Sequence, residues 1–584
     1  MHKKRLIFNK GPSILEFNSV HSYTYVHLAS QFHCLMFARR ASLVLFAVLL
    51  LSQFNNSQAR PKLIVVISLD QFRFDYLTRF NPYFGERGFK YLMKNGANFI
   101  NAEYKHAFNM TGPGHAVILT GCYGNQNGIT TNNWYDQQSH KNVYCVSDSE
   151  VSIIGGVGNG RSPANLVAPT FGDELRLHTG FTSKVISVSN RDRAAILMGG
   201  KLANAAFWMS DSSFVSSSYY MSELPAWVRR FNSSGQVNSY FGRTWQQTLP
   251  DEAYAMLDED GAPYEADPGE MGRSFPHPIR GKDSVHVTKS YFAALLASPY
   301  GSQILSSFAK AAIEGEHLGS GKFTDLLCIG FSSTDYVGHA FGPNSREVIE
   351  MAVQTDRVLA DFFSYLDHRI GLKNTIIVLT SDHGVTPIPE YIHARYPHAD
   401  VGRLSRKSAI DACTQWLDNT FGVSDIHKPW IRMIVDGNIY LNRELIAERK
   451  LNLDHVADAL ADSLRGLHEI ATAISRDELL TRSNNNPIEA KLKHSYYPMR
   501  SGEVQFAMKP FFYLDDSSEG AEHGYPYDQD AHVPLILSGE GIGKGSYAIE
   551  SSPADIGPTL SALLGIEFPA AREGRILNEA LHIP

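Results

Sequence analysis

Carboxylates and histidines occur along this chain in a few tight pairs, and their types are those that hold metal ions and transfer phosphoryl groups. Asp335-Tyr-Val-Gly-His339 sets an acid and an imidazole four residues apart, a spacing at which one backbone turn can bring both to one metal. Asp382-His383-Gly384 gives an adjacent pair followed by a residue that can turn sharply, His523-Gly524 adds an imidazole, and Asp70 adds a carboxylate. Six oxygen and nitrogen ligands with no thiolate suit two borderline divalent ions such as zinc. Two such ions ~4 Å apart clamp an in-line displacement at phosphorus.

Four further residues complete this chemistry. In "HAFNMTGPGHAVILTG", residues 106–121, Thr111 precedes a Gly-Pro-Gly elbow and the apolar run Ala116–Leu119. It therefore opens a helix, where it serves either as a cap or at an anion site. A Thr hydroxyl is a weak nucleophile until a metal activates it, so Thr111 is both the candidate nucleophile and a seventh ligand. Asn132 follows the turn-rich "YGNQNGITTN" and is placed to donate an amide N–H to a phosphoryl oxygen. Arg191 and Arg193 form a cationic pair. A phosphomonoester carries one more charged oxygen than a diester, so such a pair favours the monoester.

The elements that must position these groups read as an open α/β sheet. "KLIVVISLD" (62–70) is a near-continuous β-branched run of the kind found in central parallel strands, buried on both faces. The same form recurs in "KVISVSN" (184–190), "DLLCIGFSSTD" (325–335), "TIIVLTSDHG" (375–384) and "VPLILSG" (533–539). Between them lie helical patterns such as 346–369. Ligands of such sheets bind at the carboxyl ends of the strands, where Asp70, Asp335, Asp382, His383 and the two arginines fall. Residues 395–500 break the alternation with amphipathic helices such as 452–467, a strand candidate over 431–442 and polar loops. They read as an inserted cap subdomain between catalytic segments 60–394 and 501–584.

Seven motifs in order, "SLDQFRFDY", "TGPGHAVILTG", "NNWYD", "RDRAAIL", "DYVGHAFGP", "SDHG" and "HGYPYDQDAHVPLIL", resemble those of the alkaline phosphatase superfamily. More narrowly, the set is similar to the bacterial phosphate-irrepressible alkaline phosphatases, which are related to nucleotide pyrophosphatase/phosphodiesterases. The resemblance covers residues 61–580. It implies an alkaline-phosphatase-like three-layer sandwich and a phosphothreonine intermediate. It also implies one zinc on Asp335, His339 and His523, and a second on Asp70, Asp382, His383 and Thr111. The family's phosphate-contacting Asn maps to Asn132, and its Lys-x-Arg motif maps to Arg191-Asp192-Arg193, with Arg in the Lys position. The expected substrates are small-molecule phosphate monoesters; a phosphodiesterase or nucleotide pyrophosphatase is the alternative. A sulfatase needs a C-x-P-x-R context, and Cys122 is followed by Tyr-Gly-Asn. A non-catalytic binding module would be expected to have lost some of the six ligands, and none is missing.

The bulk composition is compatible with this reading. The 584 residues are 43% hydrophobic and 19% charged, with a formal net charge of -7, enough for a large core and without the basic excess of a nucleic-acid binder. Arg39, Arg40, the apolar stretch Ala41–Leu51 and the small-residue end at Ala59 have the layout of a secretory signal, with Met36 as the functional start. Residues 1–59 are therefore expected to be a leader, and the mature chain to be periplasmic or secreted without a stable membrane anchor. No CxxC pair exists, and in an oxidising compartment Cys122 and Cys145 are candidates for a short-loop disulfide.

Overall fold

Alternation along the buried strands builds a sheet with a core on each face. The computed structural model describes residues 60–482 and 486–581, so the leader and its signal lie outside the described residues. In the strand Leu63–Leu69, Leu63, Val65, Ile67 and Leu69 join one apolar cluster while Ile64 and Val66 join another. Leu327, Ile329 and Phe331 divide in the same way from Leu326 and Cys328. A strand buried on both faces has no polar side to alternate with, hence its continuous apolar run.

The central sheet has ten strands, of which five neighbours run parallel in the order Thr375–Thr380, Leu63–Leu69, Asp325–Phe331, Val185–Ser189, Ala205–Ser210. Helices cover both faces, giving three layers. The segment expected as a further parallel strand, Leu535–Ser538, instead pairs antiparallel with both Thr375–Thr380 and Ala97–Phe99. Its apolar run reports burial on two faces, which a parallel and an antiparallel neighbour satisfy equally.

A second sheet of four strands carries its own core around Trp430, Leu441, Leu460 and Val504. Residues 431–442, expected as one strand, form a hairpin, Ile431–Val435 and Asn438–Leu441. Asp436-Gly437 makes its turn, with Asp436 at φ 54, and an Asp-Gly pair between apolar runs is a hairpin signal. The strand Val504–Met508 pairs on both sides within this sheet, beyond the boundary at residue 500 expected for the inserted segment.

The four described cysteines are free, which corrects the expected Cys122–Cys145 disulfide. Cys145 lies against Gly112 at the start of the helix Thr111–Thr120, whereas Cys122 follows its end. A ten-residue helix is ~15 Å long, far beyond the ~6 Å that a disulfide spans between Cα atoms.

Candidate active site

Strand ends and helix starts converge above the centre of the sheet. Asp70 follows the first strand, and its backbone N–H donates to Phe331 O at 2.9 Å across the parallel ladder. The neighbouring strand ends in the helix Ser333–Phe341, which puts Asp335 in its first turn and His339 one turn later. Asp382 and His383 follow Thr375–Thr380. His523 arrives from a distant loop that Asp530 holds in place. One Asp530 carboxylate oxygen accepts from the Gly524 and Tyr525 N–H groups at 2.9 and 2.8 Å, the other from the Thr386 hydroxyl at 2.8 Å. The Asp530 carbonyl accepts from Gly384 N–H at 2.7 Å, so one residue ties together the loops carrying His383 and His523.

Met110 is the N-cap of the helix Thr111–Thr120, in extended backbone, and Thr111 is the first helical residue. Its hydroxyl therefore does not cap the helix, and it is buried within the cluster. Thr111 Oγ1 lies 3.2 Å from Arg193 Nη2, 3.5 Å from Arg191 Nη1 and 3.4 Å from His383 Nε2. The glycines of the elbow permit close packing. A Cβ at Gly114 would stand 2.1 Å from the Asp382 carbonyl oxygen, and one at Gly112 would stand 2.9 Å from Asn132 Oδ1. Asn132 Oδ1 accepts from Gly112 N–H at 2.7 Å, and Asn132 lines an open cleft with Arg191 and Arg193.

Whether this donor set fits metal ions is decided by the side-chain orientations. Each of the three imidazoles uses Nδ1 on a backbone carbonyl: His339 on Ala521 O at 2.7 Å, His383 on Gly384 O at 2.8 Å and His523 on Asn109 O at 2.8 Å. That contact fixes the tautomer and turns Nε2 inward, as outer-shell carbonyls do for metal-binding histidines. The Nε2 atoms face carboxylates. Asp335 Oδ1 is 3.3 Å from His339, 3.8 Å from His523 and 4.0 Å from His383, while His383 is also 3.4 Å from Asp70 and 3.5 Å from Asp382.

Both Asp70 oxygens are buried without a hydrogen-bond partner, while Asp335 Oδ2 lies 2.5 Å from Arg191 Nη2 and Asp382 Oδ2 lies 3.0 Å from His115 Nδ1. Burial, then repulsion from Asp382 and Asp335, pushes the Asp70 carboxyl up to about 6. Three buried carboxylates meet here, and the unpartnered Asp70 oxygens, repelled by Asp382 and Asp335, make a candidate cation site. Two groups have all their ligand atoms within 4.8 Å of one another, Asp335/His383/His523 and Asp70/Asp382/His383. The residues present therefore fit two metal ions. His383 belongs to both groups, and His339 stands beside the first through its contact with Asp335.

The arginines differ in their partners. Arg191 Nη2 pairs with Asp335 at 2.5 Å, its Nη1 lies 3.6 Å from Asp70, and its guanidinium lies over Tyr336 at 4.2 Å. Arg193 makes no ion pair among the described residues, so its charge stays available. Both line an open cleft of about 460 Å³ with Asn132, His339 and His523, closed on one side by Met433 and Asp436 of the smaller sheet and by Arg406.

The site also contains residues that sequence reasoning missed. Gln71, at φ 63, donates its backbone N–H to Asp382 at 3.1 Å and its side-chain NH₂ to Asp335 at 3.0 Å. His115 is buried, with Nδ1 2.9 Å from Thr111 O and 3.0 Å from Asp382 Oδ2. Its position four residues after Thr111, one helical turn on, was a legible signal. Asp530 stands inside the motif "HGYPYDQDAHVPLIL", but nothing in its spacing ties it to the loop after His383.

Comparison with known proteins agrees with this geometry. The profile of the family "Type I phosphodiesterase / nucleotide pyrophosphatase" matches residues 64–526. The chain is 37% identical to alkaline phosphatase PhoV of Synechococcus elongatus, over 91% of this chain and 94% of that protein. It is 34% identical to alkaline phosphatase PafA of Elizabethkingia meningoseptica, over 91% and 96%. A Myroides odoratus protein bearing the name calcium-transporting ATPase is 33% identical over 89% and 95%. The crystal structure of PafA superposes with a TM-score of 0.83, covering 90% of this chain and 100% of that one. With the matched profile spanning most of the sequence and the PafA fold covering 90% of this chain, the chain belongs to the type I phosphodiesterase/nucleotide pyrophosphatase family, in its bacterial alkaline phosphatase branch.

Proposed function

We propose that this protein is a phosphoric monoester hydrolase that works through a phosphothreonine on Thr111 with two zinc ions, held by Asp70, Asp335, His339, Asp382, His383 and His523. The observation that carries the reading is the surroundings of Thr111 Oγ1: a helix-start hydroxyl 3.2 and 3.5 Å from two guanidinium groups and 3.4 Å from an inward-turned imidazole. The likeness to PhoV and PafA, both named alkaline phosphatases, supports the monoester class. Bound metal ions would supply Lewis-acid activation of the hydroxyl and of the leaving oxygen.

The residues of the chain perform the rest. Thr111 Oγ attacks phosphorus in line and gives up its proton to solvent. The bond from phosphorus to the alcohol oxygen breaks, and the departing oxygen takes a proton. Water then attacks phosphorus from the vacated side, the bond to Thr111 Oγ breaks, and Thr111 regains its proton as inorganic phosphate leaves. The Asn132 amide and the Arg193 guanidinium hold non-bridging oxygens throughout, where charge accumulates.

The alternative, a phosphodiesterase, shares the Thr, Asn and ligand set, and the name of the matched family favours it. The arginines separate the two readings, because an esterified oxygen offers them no charge. Rates on an aryl phosphate monoester and on its methyl diester, measured under one set of conditions, test this. The monoester should be preferred, and Arg193→Ala should lower monoester kcat/KM by ~10²-fold while diester hydrolysis falls much less. A wild-type preference for the diester would reverse the conclusion. Export to the periplasm or medium belongs to the same reading, supported by Arg39-Arg40 and the apolar stretch that follows. Amino-terminal sequencing of exported protein should begin at Arg60; a start upstream of it would contradict cleavage at Ala59.

A further inference from the structure

Arg193 is held by groups that do not line the cleft of Asn132, His339 and His523, although Asp192 and Arg161 line a neighbouring open cavity with it. Its backbone N–H donates to Asp192 Oδ1 at 2.7 Å, and its Nη1 donates to the Tyr144 hydroxyl oxygen at 3.3 Å, while Nη2 reaches Thr111. Tyr144 has one hydroxyl proton and gives it to Asp192 Oδ1 at 2.6 Å, so its lone pairs are left to accept from Arg193. The direction of that contact is thereby fixed. The second Asp192 oxygen accepts from Arg161 Nε at 2.7 Å, and the Arg161 guanidinium lies 4.9 Å over the Tyr144 ring.

The charge arrangement matters as much as the geometry. Asp192 is adjacent in sequence to Arg193 and would be its natural ion-pair partner. Arg161 occupies that role instead, at 2.7 Å, and Arg193 has no carboxylate within pairing distance among the described residues. A guanidinium paired to an acid attracts a phosphoryl oxygen less, because its field is partly cancelled before substrate arrives. Arg161 therefore keeps Arg193 uncompensated, and Tyr144 keeps it pointed at Thr111.

We propose that Tyr144, Asp192 and Arg161 are positioning residues for Arg193 and that they set the selectivity for monoesters over diesters. The proposal rests on the function proposed above. Its elements come from three places in the chain: the hairpin strand Lys141–Tyr144, the loop before Ser162 and the start of the helix Asp192–Gly199. Part of the selectivity is thus built outside the cleft.

The test uses the full-length, metal-loaded enzyme with Tyr144→Phe and Arg161→Met. Both substitutions keep apolar bulk, and neither residue lines the cleft of Asn132, His339 and His523. Monoester kcat/KM should fall by about tenfold, the worth of one charge-assisted hydrogen bond. Inhibition by inorganic phosphate should weaken by the same factor, with diester turnover and zinc content unchanged. A merely structural role would lower both esters together. Equal losses on the two esters, or no loss on either, would overturn the proposal, and if Tyr144→Phe fails to fold, Arg161→Met decides between the same outcomes. Arg193→Ala measured alongside distinguishes the failures. If it lowers both esters equally, the reading of the basic pair is wrong; if it separates them while the other two variants do not, only the positioning role is lost.

Discussion

Thr111 opens a helix without capping it, because Met110 takes the capping position and leaves the hydroxyl among two guanidinium groups and an imidazole. A buried hydroxyl in such company carries chemistry, so Thr111→Ala should lower turnover by ~10³-fold or more. Zinc content, measured by elemental analysis, should stay near the wild-type value, because the six other candidate ligand residues remain. Thr111→Ser keeps a nucleophile and should retain a measurable fraction of activity. Near-normal turnover in the alanine variant would exclude a phosphothreonine.

The elbow Gly112-Pro113-Gly114 is explained at the level of elements. The helix it starts packs its first turn onto the strand end bearing Asp382, so closely that a Cβ at Gly114 would lie 2.1 Å from the Asp382 carbonyl. Backbone cannot yield there as a flexible side chain would. Gly114→Ala should cost ~1–3 kcal/mol, the usual penalty of overpacking, and should lower zinc affinity because Asp382 moves with its carbonyl. Gly321→Ala is the matched control, since its new Cβ would meet nothing closer than 4.0 Å. Thermal denaturation with a zinc titration of both variants checks this; a zinc affinity unchanged in Gly114→Ala would show that the close approach does not hold the ligand in place.

A buried acid remote in sequence from the nucleophile makes the stability of the whole molecule depend on pH. Burial, then repulsion from Glu347, Asp258 and Asp260, pushes the Glu265 carboxyl up to about 9. For an acid raised above its unfolded value, folding binds a proton. Its stabilising contribution is complete below the unfolded value near 4.5 and is lost as pH rises toward 9. Glu265→Gln keeps the shape and removes the ionisation, so the stability gap in favour of the variant should widen by ~1.4 kcal/mol per pH unit across that window. Denaturant unfolding between pH 5 and pH 9 measures it, and a gap constant with pH would show that Glu265 ionises normally in the fold. Exhaustive chelation should separately abolish turnover and lower the melting temperature, because three buried carboxylates would lose their compensating charge. Restoration by added zinc is the expected outcome.

The sequence by itself determined the parallel centre of the sheet, the family and the candidate ligand residues at the strand ends, because these depend on local pattern. A strand buried on both faces must be apolar throughout, and an acid or histidine at its carboxyl end is visible one residue at a time. Tertiary structure decided what depends on neighbours distant in the chain. The apolar run Leu535–Ser538 specifies burial but not strand direction, which its antiparallel neighbours Thr375–Thr380 and Ala97–Phe99 set. Cys122 and Cys145 are close in sequence, yet they pack at opposite ends of the helix Thr111–Thr120, which keeps their thiols apart. Gln71, Asp530 and Tyr144 were not legible as site residues, since each acts by a hydrogen bond to a group far along the chain, such as Gln71 to Asp335 across 264 positions. Only the folded chain brings such pairs within hydrogen-bond range, and the energy of that contact leaves no periodic trace in the sequence.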